Sequence, residues 1–210
     1  MKIDSIFHNY EVLADKAEVA FKEVAEEYPE EVRCRLHCND CCHAVFGLFL
    51  VEAAYLKSHF DKLDSHVIRD ALMRCNDAER AIRRLEVKLQ RYEDNPEMQS
   101  YVYASERIRC PLLNEEGECI VYSHRPITCR VYGIPTKIQG KTRVCALSGF
   151  EKDKSYRGFD LDMAYQQLFL LTKEFLQTCG QAGPERAGLL LSVPKVLTTP
   201  VEIIISETFV

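Results

Sequence analysis

Four cysteines crowd into nine residues, Cys34, Cys38, Cys41 and Cys42 of CRLHCNDCC, and four more, Cys110, Cys119, Cys129 and Cys145, follow in the second half of the chain. A hydrophobic core does not need thiols at that density. Thiolates are soft ligands, and four of them satisfy a tetrahedral zinc or an iron-sulfur centre. Separate loops must therefore converge, and eight thiolates make one site with spares or two sites. Adjacent residues of an extended chain point to opposite sides, so Cys41 and Cys42 are not expected to grip one ion together. One of them is then left for a second site, or as a free thiol.

The setting favours metal over disulfides. The start, MKIDSIFHNYEVLADKAEV, lacks the basic and apolar regions of a signal peptide. No apolar run approaches the roughly 18 residues of a membrane span. A cytoplasmic location without a membrane partner is expected, and there thiols stay reduced. The net charge of −5 gives no footprint for nucleic acid. The basic stretch Arg80, Arg83, Arg84, Lys88 and Arg91 is interleaved with Glu79, Glu86 and Glu93 and reads as a solvated helix face. With 210 residues, 47% hydrophobic and 28% charged, the chain suits a single domain over 1–210.

Periodicity predicts a mainly α fold. Ile3, Ile6, Phe7, Tyr10, Leu13, Ala17, Phe21, Val24 and Tyr28 recur at helical steps over 2–28, and Pro29 ends that helix. The first cysteine group falls in the connection that follows. Val45 to Phe49 reads as extended, Leu50 to about Phe60 as helix, and His66 to Tyr92 as a third helix with Ser65 as N-cap and Pro96 closing the segment. In CPLLNEEGECIVYSHRPITCRVYG, the polar turn Asn114 to Glu118 predicts a small β-hairpin. Pro126 then opens a short helix that turns Cys129 and Arg130 inward. A polar loop around Lys152 to Gly158 precedes a helix from Leu161 to Cys179, ended by Gly180. Thr199, Pro200, Val201 and Glu202 form a capping-box pattern for a last helix over 200–207.

CRLHCNDCC, then CPLLNEEGECIVYSHRPITCRVYG, then Cys145 resembles the YkgJ-type cysteine-cluster family, named for zinc or iron chelation, over about 34–145. The signature CxxCxxCC stands here with one extra residue, as CxxxCxxCC, and the endings C-P-L-L, G-x-C-x-V-Y and H-R-P-x-x-C-R-x-Y accompany it. The resemblance implies Cys38, Cys41 and Cys42 as the heart of the first group and Cys34 as its shifted member. Cys110, Cys119, Cys129 and Cys145 then make the second group. It also implies an enzyme reading, a lysine methylase of flagellin carrying an iron-sulfur centre. The spacing of Cys34, Cys38 and Cys41 is similar to the loop of radical S-adenosylmethionine enzymes, but those need a strand where 2–28 is periodic helix.

Structural zinc sites usually draw on paired CxxC knuckles. Only Cys38 and Cys41 have that spacing, which favours an iron-sulfur or iron centre slightly over zinc. His37, His43 and His124 stand near enough in sequence to replace a thiolate or to bond backbone, whereas His8, His59 and His66 read as helix-surface residues. Arg125 and Arg130 are suited to offset thiolate charge or to form surface ion pairs. Tyr122 and Tyr132 are expected to pack the hairpin with their hydroxyls outward. Cys75 and Cys179 lie on apolar helix faces and read as packing. The expectation is a metal-binding protein serving redox chemistry, protein modification or assembly with a protein partner. The alternative is a zinc-stapled interaction module without catalysis.

Overall fold

The computed structural model describes residues 2–35, 37–151, 154–181 and 184–206. Helix α1 (Lys2–Glu27) is followed by a 3₁₀ turn at Asp40–His43, strand β1 (Leu48–Phe49) and helices α2 (Leu50–Phe60), α3 (Ser65–Gln90) and α4 (Pro96–Ser105). A second 3₁₀ turn, Tyr122–His124, leads into α5 (Ile127–Arg130), the strands β2 (Thr136–Ile138), β3 (Lys141–Arg143) and β4 (Phe159–Asp160), and α6 (Leu161–Thr178). A third, Pro184–Gly188, precedes β5 (Leu190–Leu191), α7 (Val193–Thr198) and α8 (Val201–Ser206). The fold is mainly helical, with β1 paired antiparallel to β5 and a small sheet of order β3-β2-β4. No helix among the described residues is long and apolar enough to cross a membrane.

Helix α2 is the element on which the others pack. Every residue of it except Ser58 and His59 is buried, as expected of a helix that is apolar nearly all round. Val51, Ala54 and Tyr55 meet Tyr10 of α1, Ile127 of α5 and Leu168 and Phe175 of α6. On the other side Leu50, Ala53, Leu56 and Phe60 meet Ala71 and Cys75 of α3, Val196 and Leu197 of α7, and Ile204 of α8. Each fully buried Leu or Phe here stabilises the fold by about 1.5–3 kcal/mol. Cys75 is a packing residue, with none of its surface exposed.

Glu52 is the polar exception inside α2. Its carboxylate accepts hydrogen bonds from the backbone N–H of Phe49 at 3.4 Å, from Ile127 N–H at 3.1 Å and from the Tyr10 hydroxyl at 3.5 Å. One buried side chain thus holds the start of α2, the start of α5 and the middle of α1. Burial nonetheless raises its pKa from 4.5 to about 7, because desolvation outweighs the three donors and the charge of Arg130.

Several elements differ from the sequence reading. Asp64, not Ser65, is the N-cap of α3, and neither Pro96 nor the segment before it terminates the helical region: Pro96 opens α4, whose N-cap Asn95 accepts from Met98 N–H at 3.0 Å. Pro fits there because the first helical N–H has no partner to lose. The expected hairpin shrinks to a single bridge, Leu113 with Cys119, closed by Asn114 and Glu118. The regular hairpin is β2–β3, whose turn residues Gln139 and Gly140 both have positive φ, 52° and 71°. Gln is a weak turn signal, so the sequence did not point there. Helix α7 was not expected, α8 occupies the predicted place up to Ser206, and residue 207 lies outside the described residues, as do Lys152 and Asp153 of the polar loop.

Because the Glu52 carboxyl takes up its proton at a higher pH folded than unfolded, its contribution to stability is complete below about 4.5 and is lost as pH rises through about 7. The loss amounts to at most about 3 kcal/mol. E52Q keeps an acceptor for Ile127 but cannot ionise. Urea unfolding at pH 5 to 8 is expected to show the wild type losing stability relative to E52Q across that window; parallel curves would contradict the assignment.

Candidate metal centre

The first cysteine group is built on local turns. Cys38 N–H bonds to Arg35 O at 2.9 Å and His37 adopts a positive φ of 67°, bending the chain back toward α1. Cys42 N–H bonds to Asn39 O at 2.9 Å, which winds Asp40–His43 into the 3₁₀ turn. The vicinal pair therefore lies in a turn and not in the extended chain assumed for it. In a 3₁₀ turn the side chains are not alternated as in a strand, and the Cys42 thiol hydrogen-bonds the Cys41 sulfur.

The second group comes from four places. Cys110 N–H bonds to Cys42 O at 2.7 Å and Ile108 N–H to His43 O at 3.0 Å, stitching the two groups together through backbone. Cys119 occupies the bridge with Leu113, and Cys129 rides on α5, whose first N–H Glu52 holds. Cys145 lies in the turn closed by Ser148 N–H to Cys145 O at 3.0 Å. Its thiol donates to Asp40 Oδ2 at 3.4 Å. All ten cysteines are free thiols.

Seven of the eight clustered thiols line two adjoining cavities, and Cys145 lines neither. One is a cleft of about 370 Å³ that includes Cys34, Cys38, Glu18, Arg35, His37 and Tyr132 in its walls. The other is a small apolar cavity of about 70 Å³ with Cys110, Val45, Ile82, Ile108 and Val193 around it. Cys41, Cys42, Cys119, Cys129 and Arg125 line both and form the partition between them.

Electrostatics around the partition are those of an unpaid anion site. Burial first, with neighbouring thiols adding to it, pushes the Cys110 thiol up to about 12 and Cys129 well above its ordinary range. Burial, then Cys38 and Cys41, raises Cys34 to about 12. Cys42 is raised chiefly because its proton is held in the bond to Cys41, while that same bond, aided by Arg125 against burial, lowers Cys41. A nest of thiols this reluctant to ionise becomes thiolate when a cation is bound, with proton release.

Arg125 and Arg130 are not surface ion pairs. Both are buried and share one carboxylate, Glu18 of α1, at 3.0 and 3.3 Å. Two guanidiniums against one carboxylate leave positive charge beside the thiols. Arg130 also donates to the backbone oxygens of Arg125 at 2.9 Å and Ser123 at 2.7 Å, fixing the segment between Cys119 and Cys129. The Arg125 guanidinium lies 4.0 Å over the exposed Tyr122 ring. The Tyr132 hydroxyl, expected to face outward, instead donates to Asp40 Oδ2 at 3.0 Å. Asp40 also pairs with Arg107, so one carboxylate gathers Cys145, Tyr132 and Arg107.

Among the histidines, His37 lines the cleft and faces Glu118 at 3.6 Å, and His43 Nδ1 meets Asn39 O at 3.1 Å. His59 is not a plain surface residue: its ring stacks on His124 at 3.7 Å, and His124 Nδ1 meets the Tyr55 hydroxyl at 3.2 Å.

The donor set fits a soft metal, since it offers thiols from two directions with guanidinium charge beside them. As the side chains stand, no three Cys, His, Asp or Glu among the described residues are arranged to hold an ion. Binding therefore entails rotation of thiols about their Cα–Cβ bonds.

Sequence reasoning missed Glu18, Asp40 and Gly133. Asp40 lies inside CNDCC, so proximity to the cysteines was a usable signal. Glu18 gave none, being one acidic residue on an amphipathic helix. Gly133 ends the R-V-Y-G run with φ of 106°, and a Cβ there would stand 2.8 Å from Cys34 Cβ. Only glycine lets α5 and Cys34 approach.

A family model described as "Putative zinc- or iron-chelating domain", with the signature CxxCxxCC, matches residues 33–146. No curated protein and no solved structure matches the chain.

G133A is expected to cost about 1–3 kcal/mol through the strained φ and the contact with Cys34. It should also speed alkylation of Cys34 while leaving Cys110 unchanged. Mass spectrometry after timed iodoacetamide treatment reads both, and unaltered Cys34 reactivity would contradict the contact.

Proposed function

The chain belongs to the zinc- or iron-chelating family defined by the CxxCxxCC signature, and on that footing we propose that it is a thiolate-metal protein acting on, or with, a protein partner. We favour an iron-sulfur cluster or iron over zinc, and redox chemistry or protein modification or assembly as its work. The observation that carries this is the partition itself. Cys41 and Cys42 from one loop and Cys119 and Cys129 from elements more than seventy residues on form a single wall with Arg125.

Cys34, Cys38, Cys41, Cys42, Cys110, Cys119, Cys129 and Cys145 are the proposed ligands. Their arrival from separate loops, rather than from paired knuckles, supports a cluster. The apolar lining of the smaller cavity supports it too, because an apolar surround tunes the potential of a redox centre. When bound, iron would supply electron transfer or Lewis acidity. Arg125 and Arg130 offset the thiolate charge, and Glu18 and Ser123 O keep the guanidiniums in place.

A non-catalytic module in which zinc only fastens loops is the second reading, and the direct backbone bonds from Cys110 to Cys42 and from Ile108 to His43 favour it. Such a staple would reinforce a junction already made. Its partner face would come from helices such as α4, which buries none of its residues and exposes 70% of Tyr101.

Anaerobic purification followed by metal and acid-labile sulfide analysis and an absorption spectrum separates the readings. Iron with sulfide and a broad band near roughly 400 nm is expected. Stoichiometric zinc without colour, in a protein that unfolds on chelation, would replace the cluster reading with the structural one. Absence of any bound metal would defeat both.

A further inference from the structure

We propose that His59 and His124 form a second metal site, built of imidazole rather than thiolate, that takes a borderline divalent cation such as nickel(II) or zinc(II). Neither ring lines either thiol cavity, so this site stands whatever the thiols hold.

The two rings come from distant parts of the chain, His59 from the last turn of α2 and His124 from the 3₁₀ turn before α5. They lie face to face, with centroids 3.7 Å apart and planes at 23°. Both are half-buried, and their nitrogens are near neighbours whichever edges the rings present.

Hydrogen bonding decides which nitrogen of each neutral ring is free. His59 Nδ1 lies 2.9 Å from Tyr55 O, which can only accept, so that nitrogen carries the proton and Nε2 keeps its lone pair. The Tyr55 hydroxyl donates to Glu11 Oε1 at 2.9 Å, and burial first, then Glu11, pushes its pKa up to about 12. Its one proton is thereby committed. Toward His124 Nδ1, at 3.2 Å, the hydroxyl acts as acceptor, so His124 also carries its proton on Nδ1. Among the described residues neither Nε2 has a hydrogen-bond partner.

Each ring therefore offers Nε2 while its other N–H is tied, to a backbone carbonyl for His59 and through Tyr55 to the Glu11 carboxylate for His124. That is the outer arrangement which orients histidine ligands and fixes their tautomer. Burial, then His59 and Arg130, lower the pKa of His124, which favours the neutral ring a metal requires. Glu11 and Asp15 of α1, both near Tyr55, set negative charge against Arg130 and Lys62.

A small turn of each ring about its Cβ–Cγ bond aims both lone pairs at one ion. Imidazole suits nickel and zinc. Two nitrogens with water in the remaining positions make up the site, in keeping with the lack of any three such side chains arranged around an ion among the described residues. A bound cation would fasten α2 to the segment that leads into Arg125 and Cys129.

The test uses the full chain, purified without oxygen and carrying the metal its thiols hold. Nickel(II) is titrated in and the ring protons of the histidines are followed by NMR for wild type, H59Q, H124Q and Y55F, with circular dichroism confirming folding. In wild type the His59 and His124 rings are expected to broaden together, at one midpoint and before His8 or His66. H59Q and H124Q should each abolish the response of the remaining ring at that concentration. Y55F, which releases the His124 tautomer but keeps the aromatic ring, should weaken binding by roughly ten-fold or more.

Separate midpoints for the two rings, no response at either, an unchanged His124 response in H59Q, or unchanged affinity in Y55F would overturn the proposal. If a histidine variant does not fold, the wild-type midpoints and Y55F decide by the same criteria.

Discussion

A carboxylate buried in the middle of a helical core sets the geometry on which the rest depends. Glu52 reaches Phe49 N–H at the start of α2, Ile127 N–H at the start of α5 and the hydroxyl of Tyr10 on α1. An apolar residue in its place would leave two backbone donors buried without partners, each costing about 1–3 kcal/mol. The same bond fixes the four-residue helix that carries Cys129 and Arg130, which is too short to hold its shape by itself. A core interaction thereby positions a ligand candidate.

Charge balance links that core to the thiols. Glu18 on α1 neutralises one of the two buried guanidiniums, and the remaining positive charge lies beside the partition. The buried thiols are held in their protonated form by desolvation, with Cys41 lowered by the proton it receives from Cys42. A cation entering there exchanges protons for metal, so affinity will rise with pH until the thiols are ionised. Asp40 is a second gathering point, where Cys145, Tyr132 and Arg107 all reach one carboxylate.

Much of the helical scaffold was legible because amphipathic periodicity is a local property. The long α1, α2 with its extended entry, α3 and α6 stand within a residue or two of where their apolar spacing puts them. Failures occurred where a turn or cap was not signalled by short-range spacing, or where a nonlocal contact overrode it. Pro96 reads equally as an end or a beginning, and the cap of Asn95 on Met98 N–H makes it the start of α4. Cys41 and Cys42 read as a strand-like pair, but the bond from Cys42 N–H to Asn39 O winds them into a turn. Arg125 and Arg130 could have faced water until α1 brought Glu18 against them.

The sequence by itself determined the chemistry available, eight clustered thiols with the CxxxCxxCC form of the family signature, and the mainly helical scaffold, because residue identity and short-range spacing suffice for both. Only the tertiary structure decided which thiols are neighbours, that two cavities share one thiol-lined wall, and that Glu18, Glu52, Asp40 and Gly133 shape it. Those relations join residues tens of positions apart, and they exist only once buried polar groups have found partners across the folded core.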